Sequence, residues 1–138
     1  MGCWGVLPFE NDEACDWAME LANVDDLSLV ESALHEVEVG AECVGYRATV
    51  HALAACETVA RLLGRPGQRD VHTDDVDGWV VAHRSLMPSA SLLNRARAVI
   101  RRILASSEFD ACDPEGEAEL SEEIADLYRR LGTEERRN

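Results

Sequence analysis

Apolar residues recur at helical spacing along nearly the whole chain and almost never alternate, which confines the sequence to an all-α fold. The most restrictive stretch runs from about Ala41 to Leu63. Val44, Ala48, Ala52, Ala55, Val59 and Leu62 cover one side of it, and Leu53, Cys56, Ala60 and Leu63 widen that side to about half the circumference. A surface helix needs a narrower stripe. The segment therefore predicts a central Ala-rich helix, onto which neighbours can pack closely because its side chains are small. Gly64-Arg65-Pro66-Gly67 stops it, with Gly64 at the left-handed position and Pro66 just after.

Around this axis the periodicity predicts a compact bundle of five to six helices in one domain spanning residues 1–138. A first helix starts at Asn11, a good N-cap, with Asp12 and Glu13 favourably placed in its first turn and Ala14, Trp17, Ala18 and Leu21 inward. A second opens at Asp26 and buries Leu27, Val30, Leu34 and Val37. Thr73 is expected to cap a short helix reaching His83, with Val76, Trp79 and Val80 inward. A fifth helix buries Leu92, Leu93, Ala96, Val99, Ile100, Ile103 and Leu104. A last one buries Ile124, Leu127, Tyr128 and Leu131 and ends at Gly132, leaving residues 133–138 to fray.

Charge excludes several functions. The 138 residues carry 27 acids against 13 basic side chains, a net charge of −14, and such a surface repels nucleic-acid phosphates and anionic lipid heads. Neither nucleic acid nor membrane is expected as a partner. No apolar run approaches the roughly 20 residues of a membrane span, and no basic-then-apolar leader opens the chain. A cytoplasmic location is the expectation. The charge is also blocked: residues 1–60 hold twelve acids and one Arg, residues 61–106 four acids and eight Arg, and residues 107–138 eleven acids and four Arg. An acidic head and tail flanking a basic middle can pair inside one fold. The basic middle, with Arg61, Arg65, Arg69 and four Arg on the fifth helix, could alternatively hold an anionic ligand.

Cofactor signatures are lacking. The cysteines, Cys3, Cys15, Cys43, Cys56 and Cys112, are odd in number, form no CxxC and match no zinc spacing. Cys43 and Cys56, on one helix, would stand about 20 Å apart, too far for a disulfide. Reduced structural thiols are expected. The four histidines belong to no metal motif, and neither a phosphate-binding glycine loop nor a GxSxG elbow occurs. No metal and no cofactor are expected.

The opening departs from the helical pattern. Met1-Gly2-Cys3-Trp4-Gly5-Val6-Leu7-Pro8-Phe9 combines Gly and Pro with apolar side chains, so an irregular strap packed over the bundle is expected across residues 1–10. The run continuing through Glu10-Asn11-Asp12-Glu13-Ala14 resembles the opening of a bacterial domain-of-unknown-function family, number four-two-five-nine, whose members begin Met-Gly-x-Trp-Gly-x-x-Pro-Phe-x-Asn-Asp-x-Ala. Asp16-Trp17 and the Ala-rich stretch Ala52 to Ala60 are similar to that family as well. Ser107-Glu108-Phe109 resembles a Ser-Glu-Leu stretch that usually leads into Leu-Trp, where Cys112 and Asp113 stand here. The resemblance implies a bacterial origin and a mostly helical fold, and no activity.

Six residues are candidates for ligand or partner binding: Trp4, Asn11, Asp12, Asp16, Glu20 and Glu57. Asp12, Asp16 and Glu20 stand at i, i+4 and i+8 without an interspersed cation, an arrangement that costs a few tenths of a kcal/mol per pair. They form either a solvated acidic face or a functional one, a divalent-cation site or a docking face for a basic protein. Asn11 and Asp12 could sit beside Trp4 in a pocket, or cap the helix and satisfy N–H groups of the strap. Glu57 shares a polar arc with Arg47, His51, Thr58 and Arg61, expected as a solvated stripe carrying a Glu57–Arg61 pair. A noncatalytic interaction module, of immunity or adaptor type, fits best. A small-molecule-binding protein or a carboxylate-dependent enzyme with a site near the strap is the alternative.

Overall fold

The computed structural model describes residues 12–39, 46–65, 67, 73–105 and 114–132. Among them are six helices and no strand: α1 (Asp12–Leu21), α2 (Ser28–Glu38), α3 (Tyr46–Leu62), α4 (Asp74–Ala82), α5 (Ala90–Ala105) and α6 (Pro114–Arg130). The fold is all-α. The expected strap, residues 41–45 of the long helix, the frayed tail, and Cys3, Cys43 and Cys112 lie outside the described residues.

Helix α3 is the hub. It packs against each of the other five helices, most extensively against α2. Thr49, Val50 and every residue from Ala52 to Arg61 are buried. Burial therefore runs around the full circumference rather than over half of it. The physical reason lies in Ala52, Ala54, Ala55 and Ala60, whose short side chains let helices close in from several directions. Buried side chains of all six helices join in one core.

The inward stripes fall largely where the period places them. Ala14, Trp17, Ala18 and Leu21 of α1 are buried, as are Val30, Leu34 and Val37 of α2 and Ile124, Leu127 and Leu131 of the last helix and its end. Leu104 differs: it is 41% exposed at the far end of α5. Trp79, on α4, buries its ring and donates its indole N–H to the Val24 carbonyl at 2.7 Å, tying the α1–α2 connection to α4. Cys56 is fully buried and points its thiol at the Ala96 carbonyl of α5 at 3.8 Å. Burial, reinforced by the neighbouring Glu57 charge, pushes its pKa far up, which makes it an inert packing thiol.

The helix ends follow local chemistry. Gly64 has φ of +83°, and the Arg65 and Gly64 amides donate to Ala60 O and Arg61 O, which closes α3 with a Schellman turn. Gly132 closes α6 in the same left-handed conformation. The second helix begins at Ser28, two residues after the expected Asp26, whose carboxylate instead accepts the Ser28 amide and hydroxyl. That pairing lowers the Asp26 pKa. Thr73 precedes α4 but caps nothing with its side chain. Its hydroxyl is drawn elsewhere.

Candidate functional site

Glu57 sits in the middle of the all-round buried stretch of α3 and is 0% exposed. A carboxylate removed from water must be paired and hydrogen-bonded to stay charged. Its Oε2 accepts from the Arg61 guanidinium one turn along α3, from Arg130 Nη1 of α6 at 3.0 Å, and from the Gly67 amide at 2.9 Å. Oε1 lies 3.0 Å from Arg130 Nη2, a charge contact without hydrogen-bond alignment. Arg61 also gives Nε to Asp77 of α4 at 2.7 Å, and the Thr73 hydroxyl donates to the other Asp77 oxygen at 2.8 Å. Arg130 gives Nε to Asp126, one turn earlier on α6, at 2.7 Å.

The result is an ion web of three carboxylates and two guanidiniums that clamps α3, α4, α6 and the turn after α3. Burial is the largest influence on Arg130 and opposes its charge, yet the Glu57 and Asp126 contacts outweigh it and hold its pKa above the usual range. Glu123, beside the web, has its carboxyl pushed up by burial first and then by Asp126. The expected Glu57–Arg61 pair is present. The expected solvated setting is not, because Glu57, Thr58 and Arg61 are all buried. Thr58 satisfies its hydroxyl on the Ala54 carbonyl at 2.9 Å.

Asp12, Asp16 and Glu20 occupy a different part of the molecule. All three are exposed on α1, and among the described residues no ion pair or hydrogen bond links them to Glu57 or to any cation. Trp4 and Asn11 lie outside the described residues. The four described candidates are thus not one cluster: Glu57 belongs to the interior, and the α1 acids to the surface.

Two further constellations lie outside the six candidates, the second among the basic-middle arginines weighed as holders of an anionic ligand. His51, its side chain only 12% exposed, lies between Glu13 of α1, 3.3 Å from Nε2, and Glu36 of α2, 3.3 Å from Nδ1, with Arg47 also 3.5 Å from Glu13. The carboxylates address different ring nitrogens, so they form a bridge among three helices rather than a chelate. Among the described residues no group of three or more His, Cys, Asp or Glu is arranged to hold a metal ion. The second is an open pocket of about 280 Å³ where α3 and α6 end against the first turns of α5. It is lined by Leu63, Leu93, Leu131 and Ala90, with Arg65, Arg97 and Asn94 at its polar side. The α5 arginines divide their work. Arg95 makes a two-point contact with Glu38 at 2.9 Å, which lowers the Glu38 pKa, whereas Arg97 donates to the Leu131 and Gly132 carbonyls.

Comparison with known proteins places this all-α architecture in a defined family. The chain matches, over residues 2–125, the family described as Domain of unknown function (DUF4259), and it belongs to that family. No curated protein and no solved structure matches it. Among the described residues no helix is long and apolar enough to cross a membrane.

Proposed function

We propose that this protein is a noncatalytic, cytoplasmic interaction module, of immunity or adaptor type, whose α1 face receives a basic protein partner. One contrast carries the reading. Glu13, Glu36, Glu38, Glu57, Asp77 and Asp126 are all engaged by Arg or His side chains. Asp12, Asp16 and Glu20 stand exposed on successive turns with no cation of the described residues beside them. Like charges at i,i+4 cost the helix about 0.2–0.5 kcal/mol per pair, and the helix dipole offsets this only for Asp12 in the first turn, so stability gives no reason for Asp16 and Glu20. A basic partner would be steered to it, faster at low salt than at moderate salt. The buried web supports the noncatalytic part, since Glu57 has no access to solvent and is paired with Arg61 and Arg130.

The test is affinity capture from the native host with wild type and Asp16→Asn/Glu20→Gln, followed by binding measurements with the purified captured protein. The expected result is a basic partner whose association slows with salt and with the double substitution. Identical partners and affinities for both proteins would reduce the stripe to a solubilising surface.

A further inference from the structure

The pocket between the ends of α3 and α6 and the start of α5 carries a charge pattern opposite to that of the whole molecule. Its polar lining is Arg65, Arg97 and Asn94, with no acid among the described residues that line it. In a chain of net charge −14, Arg47, Arg61, Arg95, Arg129 and Arg130 each lie against a carboxylate. Among the described residues Arg65 and Arg97 have no such carboxylate. Arg65 donates Nη1 to the Arg130 carbonyl, and Arg97 donates to the Leu131 and Gly132 carbonyls and to Asn94 Oδ1. A guanidinium has five N–H donors. Arg65 therefore keeps Nε, Nη2 and one Nη1 hydrogen, and Arg97 keeps Nε and one Nη2 hydrogen, without a partner among the described residues.

We infer that this pocket binds a small organic carboxylate with a short aliphatic body. The carboxylate would be held by Arg65 and Arg97, for which charge-assisted, two-point hydrogen bonding is the strong mode. The body would lie on Leu63, Leu93 and Leu131. A volume of about 280 Å³ stands at the lower edge of roughly 300–1,000 Å³ for small-molecule sites, which restricts the ligand to a few carbons. The site is separate from the acidic α1 face and does not depend on the function proposed above.

Sodium hexanoate is the probe, with hexylammonium as the matched cation and hexan-1-ol as the neutral control. Binding is read from methyl NMR shifts of Leu63, Leu93 and Leu131 and from titration calorimetry. Hexanoate should saturate these shifts, while the alcohol binds more weakly and hexylammonium does not bind. Removing Arg97 would uncap α6, so the informative variant is Asn94→Asp, which keeps the acceptor for Arg97 and adds an internal carboxylate beside it. It should fold as wild type and weaken hexanoate at least about tenfold, ~1.4 kcal/mol. Arg65→Gln, at an exposed position, should weaken it as well. Absent methyl shifts, equal binding of hexanoate and hexylammonium, or unchanged affinity in Asn94→Asp would each overturn the assignment.

Discussion

Replacing Glu57 with Ala tests whether the ion web is what holds α3, α4 and α6 in register. The substitution removes the carboxylate that Arg61 and Arg130 share and that the Gly67 amide also uses. Breaking a buried pair by deleting one partner costs about 3–5 kcal/mol, because the remaining charge stays in a poorly solvated place. Arg61 keeps Asp77 and Arg130 keeps Asp126, which argues for the lower part of that range. At about 2.1 cal/mol/K of unfolding entropy per residue near 60 °C, a chain of 138 residues carries ~0.29 kcal/mol/K, so a cost of about 3–4 kcal/mol should lower the melting midpoint by about 10–14 °C. Thermal unfolding followed by circular dichroism reads this directly. A cycle with Arg130→Ala adds specificity: residues in one buried network should couple by about 0.5–3 kcal/mol. A midpoint within about 3 °C of wild type, or two substitutions that simply add, would refute the web as a structural clamp.

Three further outcomes follow from the same region. A Cβ at Gly67 would come within 2.6–2.9 Å of the Arg130 guanidinium, which is pinned by Glu57 and Asp126; Gly67→Ala should therefore cost about 1–3 kcal/mol by overpacking and lose most of that cost in an Arg130→Ala background. Gly64→Ala meets nothing within 4 Å but must hold φ near +83°, so its ~1–2 kcal/mol conformational cost should persist in that background. Glu123 has a folded pKa raised above its ordinary value; its ionisation therefore opposes folding above the folded pKa, and the penalty fades as pH falls through that value toward the unfolded one. Glu123→Gln should raise the midpoint at neutral pH, with the gain vanishing near pH ~4, as thermal melts across pH would show.

The helices and their buried faces were legible because each obeys a local rule. Ala14, Trp17, Ala18 and Leu21 share a face by spacing alone, and Gly64 announces a helix end wherever it falls after an apolar stripe. What spacing could not reveal was how many neighbours α3 has. An apolar arc of half the circumference predicts burial on that half. Glu57, Thr58 and Arg61 lie on the other, and they are buried because α4 and α6 arrive there from distant parts of the chain. The available signal was Arg130, which stands between Leu127 and Leu131 beside the inward stripe of the last helix, so its stem had to start at the core. Thr73 misled for a related reason. Its hydroxyl can satisfy α4 locally or reach Asp77, and the long-range bond between Asp77 and Arg61 makes the second choice better.

Charge blocks, likewise, foretold pairing but not its outcome. The basic middle does meet the acidic head: Arg95 crosses to Glu38 and Arg61 to Glu57, and Arg130 joins that web from the tail through the same Glu57. Yet the cations of the middle are not all spent on acids. Arg65 and Arg97 turn to backbone carbonyls at the C-terminal end of α6, where the dipole already favours positive charge. Each cation placed on a carbonyl leaves one carboxylate elsewhere without a counter-ion. The fold therefore separates charge instead of cancelling it, leaving a cationic pocket at one place and an anionic helix face at another. Neutralising one of these should leave the other's binding unchanged, since no hydrogen bond or ion pair among the described residues connects the α1 acids to Arg65 or Arg97.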